Sequence, residues 1–308
     1  MGTLQFRVEK GRVLVPVGIP CPFGCKYCYT RSGEVGPPRV TPQEILRQFQ
    51  AFALLHHAAF HTIQLGYDSD PFAYPERGIE LLHGLCALGK HLNLSTKACI
   101  EGEALRGLAE VRTHLASHLV LSALVSLSCW ESAPTVEPHT PTPAQRMLTI
   151  RSLKRIGVPS LVAVRPVLPH IPDAEYERLF DEAIQAGCEG FIFGPLYSDA
   201  EERFVRFVPK EALSTTPGRL VVVPWSAHAP TWTRYEDEAR MQCLAALATS
   251  KGGHVFWSSA LAVASLSKQE TLLEKRPAGS DPDRLVGGIA LYQGPGGMQA
   301  FFDARGTS

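Results

Sequence analysis

No stretch of this 308-residue chain is apolar for long enough to cross a bilayer, and neither sign of charge is in excess. Beyond one short loop, no two cysteines stand at metal-ligand spacing. The first absence excludes a helical membrane span. The second, 30 Lys+Arg against 30 Asp+Glu, removes the basic surplus that nucleic-acid binders commonly carry. The one local basic group is Arg146, Arg151, Lys154 and Arg155, which reads as the solvated outer face of a helix. The third absence argues against paired zinc knuckles, which need four ligands, and against an auxiliary second cluster. Cys86, Cys99, Cys129, Cys188 and Cys243 are scattered. The opening run MGTLQFRVEKGR is polar and lacks the apolar core of a secretion signal. A cytoplasmic setting without disulfides is the expectation. With 45% hydrophobic and 19% charged residues, the composition is that of an ordinary globular protein.

What the chain does have is concentrated in one loop. Cys21, Cys25 and Cys28 form C-x3-C-x2-C within CPFGCKYCYT, directly after the apolar run 13–17. Three thiolates so close together can hold three corners of a cubane iron–sulfur cluster. No fourth cysteine follows before Cys86, so one iron stays open to an outside ligand. The amino and carboxylate groups of S-adenosylmethionine suit such an iron. Tyr27 and Tyr29 place aromatic surface beside it.

The first two thirds of the chain alternate between two periodicities. Apolar, strand-like runs fall at 13–17, 61–66, 92–97, 119–127, 159–165 and 190–194. Helical spacing falls at 41–55, 76–90, 101–113, 142–157 and 173–187. Thr41-Pro42, Thr142-Pro143 and Pro172-Asp173 mark helix starts, and Gly89, Gly157 and Gly187 mark helix ends. Strands separated by helices of this length predict an α/β fold with a parallel sheet. Six units predict an open, partial (β/α)6 TIM-like barrel over 1–198. A C-terminal α/β extension over 199–308 is expected to cover the active-site mouth. It contains strand-like 220–223, helical 235–251, strand-like 254–257 and a short apolar run at 289–292. Chemistry on such barrels sits at the C-terminal strand ends. That rule collects the cluster loop, Gly66–Pro71, Thr96–Cys99, Ser126–Trp130, Arg165-Pro166 and Phe193–Pro195 around one mouth.

The cysteine motif resembles that of the radical SAM superfamily. Further stretches resemble its spore photoproduct lyase-like branch: SDPFAYPE at 69–76, Ser95-Thr96-Lys97, the run at 125–128, EPHTPTPAQR at 137–146 and RPVLPHIPD at 165–173. The resemblance implies a [4Fe-4S] cluster on Cys21, Cys25 and Cys28, and S-adenosyl-L-methionine as the second cofactor. It implies an external electron donor such as flavodoxin or ferredoxin. It also implies reductive cleavage to a 5'-deoxyadenosyl radical that removes hydrogen from a substrate. Lys97 and Ser126 match positions that hold the carboxylate and ribose of the cofactor. Ser69, or its neighbour Asp68, matches the position at its amino group. Tyr27 and Tyr29 match aromatics flanking cluster and adenine. Arg165, grouped with these cofactor-pocket residues, reads either as a clamp for a substrate anion or as a salt bridge beneath the mouth.

In the lyase branch a cysteine at the end of the second strand returns hydrogen to the product. Here that position reads Gly66-Tyr67-Asp68, without a thiol. Epimerisation of a polar small molecule, with another cysteine as hydrogen donor, is therefore the sharpest functional expectation. Repair of a DNA lesion is the alternative, and a non-catalytic iron–sulfur scaffold a third. Cys243 and Cys129 are the candidate catalytic thiols, Cys243 on a helix expected over the opening. Trp225, His228, Trp232, Tyr235 and Trp257 are candidates for a substrate pocket in the extension.

Overall fold

A computed structural model describes residues 4–32, 39–223, 231–267 and 300–303. Trp225, His228 and the apolar run at 289–292 lie outside the described residues.

The chain opens with a hairpin of β1 (Gln5–Glu9) and β2 (Arg12–Val15). Its two-residue turn has positive φ at both Lys10 and Gly11, 45° and 74°, the handedness that matches the twist of antiparallel strands. There follow α1 (Pro42–His56), β3 (Thr62–Leu65), α2 (Pro75–Cys86), β4 (His91–Thr96), α3 (Gly102–His114) and β5 (Leu121–Ser126). After α4 (Ala133–Val136) come α5 (Pro143–Arg155), β6 (Ser160–Val164), α6 (Asp173–Ala186) and β7 (Gly190–Phe193). The later part holds β8 (Leu196–Ser198), α7 (Lys210–Thr215), β9 (Gly218–Val222), β10 (Thr231–Tyr235), α8 (Glu238–Ser250), β11 (His254–Phe256), α9 (Ser259–Leu266) and β12 (Ala300–Asp303).

The main sheet runs β11-β7-β6-β5-β4-β3-β2-β1-β12. Neighbours from β2 to β7 pair in parallel, as the alternation predicts. β11 adds a further parallel strand beside β7, and β1 is antiparallel to β2. This is the partial barrel expected from the sequence, continued into the extension. The expected helix boundaries have the expected chemistry. Thr41 caps α1 ahead of Pro42, Thr142 and Gln145 form a capping box on α5, and Gly187 ends α6 at φ 98°.

Strand residues alternate faces with period two. Val13, Ile63, Leu94, Val125, Val162 and Phe193 belong to the core beneath the helices. The alternate positions Arg12, Gln64, Ser95, Ser126 and Arg165 form a polar inner face. They are joined by Arg12 Nη1 to Gln64 Oε1 at 2.5 Å and Gln64 Nε2 to Ser95 Oγ at 2.9 Å. Toward β5–β7 the inner face turns apolar, and α9 fills it. Ala262, Val263 and Leu266 pack on Leu124, Leu161, Ala163 and Ile192.

One expectation about the extension needs correcting. Helix α8 does not lie over the opening. It packs against α6, β7 and β11, continuing the helical layer, because Met241, Leu244, Ala245 and Ala248 form a buried stripe that joins the core under those helices. Among the described residues the extension reaches the mouth through Ser259 of α9, and β8, which closes the barrel part, reaches it through Leu196 and Tyr197.

Candidate active site

A cavity of about 320 Å³ opens at the C-terminal strand ends. All three thiols of the motif line it, and all three are free. Among the described residues no group of His, Cys, Asp and Glu converges on a single ion. A cubane does not ask for convergence, since each thiolate binds a different iron. Burial pushes the Cys25 thiol up to about 12 and raises Cys21 as well. Binding a cluster must therefore release protons and supply the charge that stabilises the thiolates.

The loop before β2's successor helix is pinned from below. Asp68 Oδ1 accepts the Val17 N–H at 3.0 Å, and Arg77 Nε donates to Val17 O at 2.8 Å. Asp68 follows Gly66, whose φ is 98° and where a Cβ would fall 2.5 Å from Ser95 O. Only glycine fits that corner without displacement. The turn leaves Asp68 Oδ2 and Ser69 Oγ buried with no hydrogen-bond partner among the described residues, in the cavity wall. Two orphaned acceptors fit an amino group supplied by a ligand. Burial raises the Asp68 carboxyl to about 6, against the pull of the Val17 N–H.

Lys97, just beyond β4, Ser126, at the end of β5, and Tyr27 converge. Lys97 Nζ donates to Ser126 Oγ at 2.8 Å, Tyr27 Oη at 2.9 Å and Glu137 Oε1 at 2.8 Å. Asp70 fixes the lysine's backbone, accepting its N–H at 2.5 Å as well as those of Phe72 and Ala73. Tyr27 donates its hydroxyl to Glu137, and Tyr29 Oη donates to Tyr67 O at 2.7 Å. Lys97, Ser126, Tyr27, Tyr29, Asp68 and Ser69 thus share one cavity with the cluster loop.

Glu137 and Arg146 stand behind Lys97, and sequence reasoning missed them. Glu137 is fully buried and forms an ion pair with Arg146 at 2.5 Å. Burial pushes its carboxyl up, but Arg146 and Lys97 outweigh this and hold it at about 2. Arg146 does not belong to a solvated helix face. It is fully buried at the start of α5 and donates to Ser126 O at 2.8 Å, Pro141 O at 3.0 Å and Thr140 Oγ1 at 3.0 Å. The available signal was the lone acid Glu137 in EPHTPTPAQR, nine residues before that arginine.

Arg165 lines the cavity and donates to Ser259 Oγ at 2.6 Å. No carboxylate lies within ion-pair distance of it among the described residues, so the salt-bridge reading is not realised.

The candidate catalytic thiols are not brought to the cavity. Cys243 is exposed, on the α8 that packs beside α6. Cys129 is fully buried within the core, and burial, then Glu137, raises its thiol. Both corrections share a cause. Placement past a strand end or on a late helix says nothing about which way the side chain turns. Trp232 likewise does not line this cavity. It is buried on β10 and stacked on Phe204 at 5.2 Å.

Residues 15–183 match the family model of the Radical SAM superfamily. Uncharacterized proteins of Mycobacterium tuberculosis and Mycobacterium bovis are 28% identical over 193 residues, covering 56% of this chain and 56% of each relative. The chain thus spans about half the length of the curated relatives it matches. Among solved structures, a spore photoproduct lyase mutant with bound AdoMet and dinucleoside spore photoproduct superposes with a TM-score of 0.61 at 16% identity, over 79% of this chain and 75% of that one. The same lyase complexed with dinucleoside spore photoproduct gives 0.59 at 17% identity, with the same coverage. These likenesses show the fold.

Proposed function

From the premise that the chain belongs to the radical SAM superfamily, we propose that it removes a hydrogen atom from a polar small-molecule substrate, as a tailoring enzyme with no second cluster. The family's [4Fe-4S] cluster and S-adenosyl-L-methionine would supply one-electron cleavage of the sulfonium and a carbon-centred radical to take that hydrogen. The observation that carries the reading is the convergence of Lys97, Ser126, Asp68 and Ser69 on the cavity that the three thiols line.

The chain's own residues divide the work. Cys21, Cys25 and Cys28 would hold the cluster and leave one iron open. Lys97, fixed by Glu137, faces a carboxylate through a charge-assisted bond. Ser126 offers a hydroxyl to the ribose. Asp68 Oδ2 and Ser69 Oγ receive the amino group. Tyr29, tied to Tyr67 O, walls the cavity with its ring and shields it from water. A reduced flavodoxin or ferredoxin would deliver the electron.

Epimerisation with Cys243 or Cys129 as donor loses its geometric support, since neither residue lines the cavity. Hydrogen abstraction itself stands apart from that choice. The test is anaerobic incubation of the reconstituted, reduced protein with deuterated candidate substrates, followed by mass analysis of 5'-deoxyadenosine. Deuterium in that product supports the reading. A cluster-loaded protein that makes no 5'-deoxyadenosine removes it, leaving an iron–sulfur scaffold. Tight, steeply salt-dependent binding to lesion-bearing duplex DNA would move the assignment to repair.

A further inference from the structure

The barrel interior carries more positive charge than the cofactor pocket uses. Arg7 from β1, Arg12 from β2 and Arg165 beyond β6 all line the cavity. Among the described residues one carboxylate, Glu9, faces them, 2.9 Å from Arg12 and 3.5 Å from Arg7. The other acids on the wall are engaged elsewhere. Asp70 holds backbone N–H groups and Thr96, and Asp68 holds Val17. Glu137 is matched by Lys97 and Arg146.

Three guanidinium groups against one carboxylate, withdrawn from water, repel one another. Burial costs Arg12 and Arg165, and the attraction of Glu9 offsets only part. Burial, then Arg7, presses Arg12 below its ordinary value, and burial also presses Arg165 down. Two donors remain unused among the described residues, for Arg7 Nε and Arg12 Nε are buried without partners there, and Arg12 as a whole is 6% exposed. The floor is shaped to seat the third group. Arg165 lies across Gly194, where a Cβ would fall 2.5 Å from its Nε. An unbalanced, partly unsatisfied arginine set in a cavity calls for an anion.

We infer that Arg7, Arg12 and Arg165 bind an anionic group of the substrate, a carboxylate or a phosphate, which narrows the substrate class to organic acids or phosphate esters. This rests on the proposed enzymatic reading for its word substrate, but the anion site is testable alone. The planar guanidinium fork matches both anions bidentately.

The experiment uses cluster-loaded protein, anaerobic and saturated with S-adenosylmethionine so that the Lys97 site is filled. Its Tm is measured in chloride, orthophosphate and malonate at equal ionic strength. Both test anions stabilise proteins generally, so the readout is the increment lost in Arg165→Gln. The expected result is an increment of several degrees that collapses in Arg165→Gln and is partly kept in Arg165→Lys. Should the glutamine variant fail to load its cluster, the lysine variant alone decides by a reduced increment. A larger effect of orthophosphate assigns a phosphate ester, and a larger effect of malonate a carboxylic acid. No increment over chloride, or one unchanged in both variants, overturns the inference. Formation of 5'-deoxyadenosine reports separately on the enzymatic reading, so either can fail while the other stands.

Discussion

Lys97 Nζ sits 2.8 Å from Glu137 Oε1, while the other oxygen of that carboxylate meets Arg146 at 2.5 Å. One buried acid therefore holds two cations, one from just beyond β4 and one from α5, and it aims the lysine proposed to face the cofactor. Glu137→Gln should cost about 3–5 kcal/mol of stability, because it leaves Arg146 buried and uncompensated. The carboxyl titrates at about 2 in the fold, below its usual value. Its contribution is therefore complete above the ordinary carboxylate range and fades as pH falls toward 2. Denaturant unfolding of both proteins should show a gap that is constant near neutrality and narrows in acid.

Lys97→Met removes the cation but keeps most of the stem. A charge-assisted bond is worth about 1.5–3 kcal/mol, so the KM for S-adenosylmethionine should rise by about tenfold to a hundredfold. Steady-state 5'-deoxyadenosine formation at varied cofactor concentration measures this. An unchanged KM would remove Lys97 from the cofactor site.

Asp68 has the opposite linkage sign to Glu137. Burial raises its carboxyl to about 6, so its protonated form is the one the fold favours. Stability is full below the ordinary aspartate range and is lost as pH rises through about 6. Relative to Asp68→Asn, the native protein should lose up to about 3 kcal/mol across that window. Chemical denaturation at a series of pH values checks it, and parallel curves would contradict it.

Gly66→Ala places a Cβ 2.5 Å from Ser95 O at a φ of 98°. Strain of this kind costs about 1–3 kcal/mol. Because the turn also positions Asp68 and Ser69, cofactor affinity should fall together with Tm.

The two sets of cysteines should separate cleanly. Cys25→Ala should lose iron, sulfide and cofactor cleavage together. Cys243→Ala, altering an exposed side chain on α8, should match the native protein in iron content and in 5'-deoxyadenosine yield.

The sequence made the parallel strands and their crossover helices legible because buried strands and amphipathic helices differ in period. The cluster loop was legible because three thiols at short spacing have few other uses in a chain without disulfides. The hairpin of β1 and β2 was not, because its signal is only Lys10-Gly11 between strands whose inner residues, Arg7, Glu9 and Arg12, are charged. In the sequence those charges show only a polar opening run, and in the fold they face the barrel interior. Arg146 was misread for the same reason. A charged side chain announces a need for a partner, and whether the partner is water or a buried acid depends on contacts far away in sequence. The thiols of Cys129 and Cys243 had the complementary defect, since a cysteine carries no charge that would reveal its surroundings.

The packing of α9 has a consequence for how the molecule can be taken apart. Leu266, Val263 and Ala262 provide the apolar cover for Leu124, Leu161 and Ile192 on the inner face of β5–β7. Hydrating those large aliphatic side chains costs about 1.5–3 kcal/mol apiece, a substantial share of the 5–15 kcal/mol that holds a typical domain together. The segment after β8 therefore cannot be exchanged like a cartridge. A hybrid carrying another protein's C-terminal half would have to reproduce this internal plug before it could acquire a new specificity.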